Sequence, residues 1–179
     1  MKYCSACGSS VEISIPSGDN RPRHICVECD TIHYQNPKIV AGCLPVKDHS
    51  VLLCKRAIDP QYGFWTLPAG FMENGETLEE AAMRESIEEA NASLESLRLY
   101  TVISLPHINQ VYMMFLADLT DSDYSPGEES LEVALFEEDE IPWEQIAFKT
   151  ITSTLKCYFS DRKTGLFPLH TSVITKRNR

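Results

Sequence analysis

The stretch GFMENGETLEEAAMRESIEEANA, from Gly70 to Ala92, decides how the rest of the chain reads. It begins as a Gly-rich loop and turns into a helix crowded with carboxylates. Thr77 is followed three residues later by Glu80, a capping-box pairing in which each residue satisfies one of the other's backbone donors. From there to Ala90 there is no Gly or Pro, and Ala, Leu, Met, Glu and Arg, all good helix formers, dominate. Glu85, Glu88 and Glu89 stand at i, i+3 and i+4, a spacing that puts three carboxylates on one helix face. Like charges so placed repel, and a hard divalent cation that takes oxygen ligands turns the repulsion into coordination. A solvated acidic face is the bland reading of the same residues.

The wider spacing runs Gly70, five residues, Glu76, seven residues, Arg84-Glu85, two residues, Glu88-Glu89. With Trp65-Thr-Leu-Pro-Ala-Gly70 leading into it, this pattern resembles the signature of the Nudix hydrolases. The resemblance implies an α+β fold, an α/β/α sandwich around a mixed β-sheet, and hydrolysis of nucleoside diphosphates linked to another group. It also implies that Glu85, Glu88, Glu89 and the Gly70 carbonyl hold a catalytic Mg²⁺ or Mn²⁺. Arg84 is expected to orient the glutamates by ion pairing, and Glu76 to brace the loop. Two positions depart from the family pattern: Ser86 replaces an aliphatic residue, and Asn91 replaces Gly. Asn tolerates the left-handed conformation that ends helices.

The N-terminal part carries a second metal signal. Cys4-Ser-Ala-Cys7 and Cys26-Val-Glu-Cys29 form two CxxC pairs with 18 residues between them. Four thiolates at that spacing suit tetrahedral zinc, with a redox dithiol as the alternative. Ile13 and Ile15 alternate with polar residues before the turn Pro16 to Asn20, which predicts a short hairpin dependent on the metal. Residues 1–36 therefore read as a structural zinc ribbon, and 37–179 as the catalytic domain.

Beyond the ribbon, Ile39 to Val46 and Val51 to Lys55 read as strands joined by Lys47 to Ser50. Cys43 and Cys54 lie in these apolar runs and read as core. Arg98 to Leu105 and Gln110 to Leu119 read as two more strands, the second so continuously apolar that it suits a central position. Asp121 to Glu140 holds nine carboxylates and no Lys or Arg. Most of it reads as solvated loop, with a strand at Leu131 to Phe136. Family resemblance implies a further acidic metal ligand or base here, with Glu132 the first choice and Glu129 the second. Ile141 to Ala147 reads as a short helix entry with Pro142 at the first helical position. Ile151, Leu155, Tyr158 and Phe159 recur at helical spacing in Lys149 to Arg162, the pattern of core packing. The tail, His170 to Arg179, reads as mobile and is basic at its end.

The net charge is −10 over 179 residues. That disfavours long nucleic acid, which needs clustered cations, and leaves a small anionic nucleotide to be received through metal and local positive charge. Lys55 and Arg56 are the expected cations. Tyr112 and Phe64, with Tyr62 and His107, are candidates for ring stacking, each equally readable as core or surface. No run is long enough to cross a membrane, and the start lacks an apolar leader core, so a cytoplasmic location is expected.

Ribbon and signature together resemble the zinc-ribbon Nudix group that includes FAD, ADP-ribose and NADH pyrophosphatase-like members. The supporting residues include Tyr34 to Lys38, Val51 to Arg56 and Ser125 to Glu132. On the same residues, with Trp65 to Gly70, the chain is more closely similar to plant plastid FAD pyrophosphatase-like proteins. The SQPWPFPxS run associated with NADH pyrophosphatases is absent after the signature, which counts against NADH as the preferred substrate. A dinucleotide such as FAD, or ADP-ribose, is thus the expected substrate, with NADH or an NAD-capped RNA end guided by Lys55, Arg56 and Lys149 as alternatives. Family members commonly form homodimers. The reading from a different class is a ligand-sensing or nucleic-acid-binding module centred on the ribbon, opposed by its few cations: Lys2, Arg21 and Arg23.

Overall fold

A computed structural model describes residues 1–120 and 123–176. Asp121, which opens the acidic tract, and Arg177 and Arg179, which make the tail basic, lie outside them. The chain divides into two compact units, Met1–Asn36 and Pro37–Arg179.

The first unit is a small antiparallel sheet of β1 (Val11–Ser14), β2 (Arg23–Cys26) and β3 (Ile32–His33) in that order. The expected hairpin is β1 and β2, with Val11 opposite Cys26. Its buried apolar side chains are Cys4, Pro16 and Cys26. Apolar contact so sparse cannot order 36 residues without a further tie.

The second unit is built on a mixed sheet. Its strands are β4 (Lys38–Lys47), β5 (Ser50–Arg56), β6 (Trp65–Thr66), β7 (Ala69–Phe71), β8 (Leu94–Leu105), β9 (Gln110–Leu119), β10 (Ser130–Phe136) and β11 (His170–Val173). The order is β10-β5-β4-β9-β8-β11, with β6 added to β5 and β7 to β4. The apolar β9 lies centrally, parallel to β4 and antiparallel to β8.

Two helices cover opposite faces. Residues alternate across a strand, so Ala41 and Cys43 of β4 and Phe115 and Ala117 of β9 face α1 (Leu78–Ala90), meeting Ala81 and Ala82. Leu44, Met114 and Leu116 point the other way, onto Ile151, Leu155, Tyr158 and Phe159 of α2 (Lys149–Arg162). This is the expected sandwich. The capping box of α1 is present: Glu80 N–H donates to Thr77 Oγ1 at 3.2 Å, and Thr77 N–H to Glu80 Oε2 at 2.8 Å.

Two expectations are corrected. Ile141 to Ala147 does not lead into a helix; it holds one 3₁₀ turn, Trp143–Gln145, with Pro142 just before it, and Phe148 in extended backbone separates that turn from α2. The tail is ordered from His170 to Ile174: β11 pairs in parallel with β8, and Ile174 N–H donates to Ser104 O at 2.9 Å. His170 Nε2 lies 2.7 Å from Asp161 Oδ2, and Tyr100 Oη donates to the same oxygen at 2.7 Å. Burial works to raise the Asp161 carboxyl, but these hydrogen bonds outweigh it and hold the group below its ordinary value.

Candidate active site and zinc centre

Helix α1 turns Glu85 and Glu89 into the protein, where both are buried, and Glu88 toward solvent. Ser86, buried where the signature has an aliphatic residue, satisfies its hydroxyl by donating to Ala82 O at 2.8 Å. The departure therefore leaves no orphaned polar group.

Arg84 is spent on the glutamates. Its Nε and Nη2 donate to the two oxygens of Glu76, at 2.6 and 3.1 Å, and its Nη1 to Glu85 at 2.7 Å and Glu88 at 3.0 Å. Nη2 also reaches Phe71 O at 3.2 Å. Glu76 closes the loop by accepting from Glu73 N–H at 2.9 Å. The Arg84 bond holds the Glu76 carboxyl down to about 2. Glu76 as brace and Arg84 as organiser are thus what the geometry displays.

Glu85 lies flat against the Gly70 backbone, and a Cβ on Gly70 would meet the carboxylate itself. No other residue permits that approach. Burial raises the Glu85 carboxyl above its ordinary value. Burial, then the Glu85 charge, pushes Glu89 up to about 8. Arg84 does not pair with Glu89; the cation that lowers its energy is Arg56, at the end of β5.

Residues 123–129, ahead of β10, close over the C-terminal end of α1. Ser125 N–H donates to Ala90 O at 2.9 Å and Gly127 N–H to Glu89 O at 3.1 Å. Gly127 packs so closely on the Glu88 carbonyl that a Cβ has no room. Asn91 takes the left-handed conformation, φ 46°, and its Nδ2 donates to Ser125 O and Ser125 Oγ, each at 3.1 Å. These ties bring Glu128 and Glu129 to the wall of the cleft above Glu85 and Glu89. The Glu129 charge helps raise both carboxyls.

The cleft encloses about 2120 Å³. Arg56, Tyr112 and His107 line it, as does Lys149, whereas Lys55, Phe64, Tyr62 and Glu132 do not. Lys55 Nζ instead lies 3.4 Å from Glu132 Oε2 and over the Trp65 ring. Glu132 is exposed, and a register shift between Ser130 and Glu132 separates it from the loop that carries Glu129. Sequence reading also missed Gly127, Phe148 and the C-terminal residues Ile174, Thr175 and Lys176, all at the cleft. Nothing in their local pattern marks them.

In the first unit the four thiols converge. Among the described residues they are the one group of three or more His, Cys, Asp or Glu whose ligand atoms all lie within 4.8 Å of one another. Cys4 and Cys29 Sγ are 3.8 Å apart, and Cys7 and Cys26 Sγ 3.4 Å. Zinc bonded to sulfur at about 2.3 Å makes a tetrahedron with edges of about 3.8 Å, so the set fits. Ala6 N–H and Glu28 N–H donate to the Sγ of Cys4 and Cys26, and His33 Nε2 is 3.3 Å from Cys4 Sγ. A hydrogen bond from the Thr31 hydroxyl foremost holds the Cys29 thiol down to about 6, favouring the thiolate that zinc binds.

Comparison with known proteins agrees with this geometry. Residues 2–35 match the zinc-ribbon family model described as Nudix N-terminal, and residues 36–154 match the NUDIX domain. A NUDIX hydrolase from Nitrosomonas europaea has a crystal structure with TM-score 0.94 and 58% sequence identity, covering 98% of this chain and 100% of that one. The NAD-capped RNA hydrolase NudC of Photobacterium profundum is 29% identical over 141 residues, 76% of this chain and 49% of that protein. An ADP-ribose pyrophosphatase of Methanocaldococcus jannaschii is 31% identical over 115 residues, 61% of this chain and 67% of that protein. The chain spans about half the length of the NudC relatives it matches. No helix among the described residues is long and apolar enough to cross a membrane.

Proposed function

The chain belongs to the Nudix hydrolase family, and from that premise we propose that it hydrolyses the pyrophosphate bond of a small ADP-containing compound, a dinucleotide such as FAD or else ADP-ribose, with Mg²⁺ or Mn²⁺. The observation that carries this reading is the buried pair Glu85 and Glu89 beside the Gly70 backbone, on a cleft of about 2120 Å³. Two buried carboxylates with raised pKa values are costly unless a cation shares their site. Their donors are all oxygen, which suits Mg²⁺ or Mn²⁺ over softer metals. Glu88 is exposed and paired with Arg84, and would complete the set by turning inward.

When bound, the cation neutralises diphosphate charge and makes water a stronger acid. The chain's own groups do the rest. Arg84 fixes Glu85 and Glu76, so the carboxylate geometry exists before substrate arrives. Arg56 meets phosphate charge. Glu129, which lines the cleft on the Gly127 loop, would be the group that takes a proton from attacking water; Glu132 is paired with Lys55 and does not line the cleft. Zinc in the four-thiol centre serves the fold of the ribbon. The partners are a small nucleotide and, by family habit, a second copy of the chain in the cytoplasm.

A second reading, hydrolysis of NAD-capped RNA, is favoured by the NudC relatives. It shares the bond broken and differs in what is attached. The net charge of −10 opposes a long RNA body. Purified protein assayed with Mg²⁺ and with Mn²⁺ on FAD, ADP-ribose, NADH and a capped RNA tests both. Turnover of a free compound at low and high salt supports the first. Turnover confined to capped RNA supports the second, and inactivity on all four rejects both.

A further inference from the structure

The cleft runs across the ends of the strands. Arg56, closing β5, stands at one side, and Ile174, Thr175 and Lys176, following β11, stand at the other. The carboxylates belong to the near side: Glu89 interacts with Arg56, and Glu85 with Gly70 of β7, which pairs with β4. From β7, which carries Gly70, through β4, β9 and β8 to β11 is four strand spacings, about 19 Å. A diphosphate at Gly70 leaves that distance for whatever is joined to it.

The far side is built from Leu105, His107, Ile108, Gln110, Ile174 and Lys176. Leu105, Ile108 and Ile174 offer apolar surface, His107 and Gln110 offer hydrogen bonds, and Lys176 offers a cation. That combination fits one face and edge of a planar heterocycle bearing polar or anionic substituents. The wall is fixed in place by the β8–β11 ladder, the Ile174–Ser104 hydrogen bond and the shared Asp161 oxygen between Tyr100 and His170. Leu105, His107, Ile108 and Gln110 fall within the match to the NUDIX domain, but Ile174 and Lys176 lie past residue 154, where it stops, so the general catalytic domain does not supply those two residues.

We infer that the segment after β11, with Ile174 at its centre, forms a subsite for the second heterocycle of a two-ring substrate, on the side of the diphosphate away from Arg56. This rests on the proposed pyrophosphate hydrolysis for its substrate and on the cleft alone for its geometry. It divides substrates into those with one planar base, such as ADP-ribose, and those with two planar heterocycles, such as FAD or NADH.

Ile174→Ala tests it in the full chain, with the melting temperature checked against the parent. The Michaelis constant for FAD or NADH should rise roughly tenfold with kcat little changed, and that for ADP-ribose should stay within about twofold. Calorimetric binding of FAD and NADH in EDTA, where hydrolysis is blocked, should weaken by the same factor. If the parent hydrolyses nothing yet binds a dinucleotide that Ile174→Ala releases, the subsite stands and the proposed reaction falls. Unchanged dinucleotide constants, an equal loss for ADP-ribose, or a parent that binds neither dinucleotide would overturn the subsite.

Discussion

Glu89 joins the strongest chemical demand in the molecule to its least comfortable charge. Its carboxyl is pushed up to about 8 in the folded chain without metal, against an ordinary 4.5. Between those values the unfolded chain has released a proton that the folded chain still holds. Stability of the metal-free protein therefore falls as pH rises from about 4.5, and the whole penalty is present above about 8. Glu89→Gln removes that penalty along with a metal ligand. The variant should melt higher than the parent at pH 8 in EDTA, yet lose at least about a hundredfold in turnover at saturating Mg²⁺. Full turnover would mean that Glu89 holds no catalytic metal. Asn91 offers a subtler case. Asn91→Gly restores the residue usual in the signature and suits the left-handed backbone, so the helix end should persist. The Nδ2 bonds to Ser125 are lost, and with them one tie on the loop that carries Glu129. Expected is a several-fold higher Mg²⁺ requirement with an unchanged melting temperature; identical Mg²⁺ titrations would show that the backbone ties suffice.

Among the elements, α1 was legible because its cap, helix formers and carboxylate spacing are all local, within Thr77 to Asn91. The alternating faces of β4 and β9 were legible as apolar runs, though their parallel pairing was not, because residues distant in the chain decide it. The place of the further acid was less legible. Family resemblance put Glu132, in the strand ending at Phe136, ahead of Glu129; past the register shift between Ser130 and Glu132, Glu132 is exposed beside Lys55, whereas Glu129 lines the cleft. Strand β11 is short, and three of its four residues are exposed; its order comes from β8 and Asp161, neither visible from His170 to Val173. Asp161→Asn should weaken the His170 tie, and amide hydrogen exchange at Thr171 to Ile174 should quicken several-fold while α1 keeps its protection. Uniform quickening would instead indicate global destabilisation.

At the scale of the molecule, two metals of different character are expected in two units, and they should separate. Brief EDTA followed by Mg²⁺ should abolish and then restore hydrolysis while zinc stays with the protein, since soft thiolates hold zinc more firmly than carboxylates hold Mg²⁺. Cys26→Ser should lose zinc and solubility or assembly, because binding energy for the ion is folding energy for the ribbon. Zinc retained at one ion per chain in that variant would reject the four-thiol site. The centre of the sheet carries a different consequence. Residue 38 is paired with residue 110 and residue 46 with residue 118, so β4 and β9 join parts of the chain separated by β5, β6, β7, α1 and β8. Loop-closure entropy must be met before that ladder contributes anything. The locally written α1 can take shape early, but Ala81 and Ala82 have no sheet to rest on until the ladder closes. Folding is therefore gated by a late, non-local step, and the chain's exposure to aggregation is greatest while β9, the most continuously apolar strand, waits for β4.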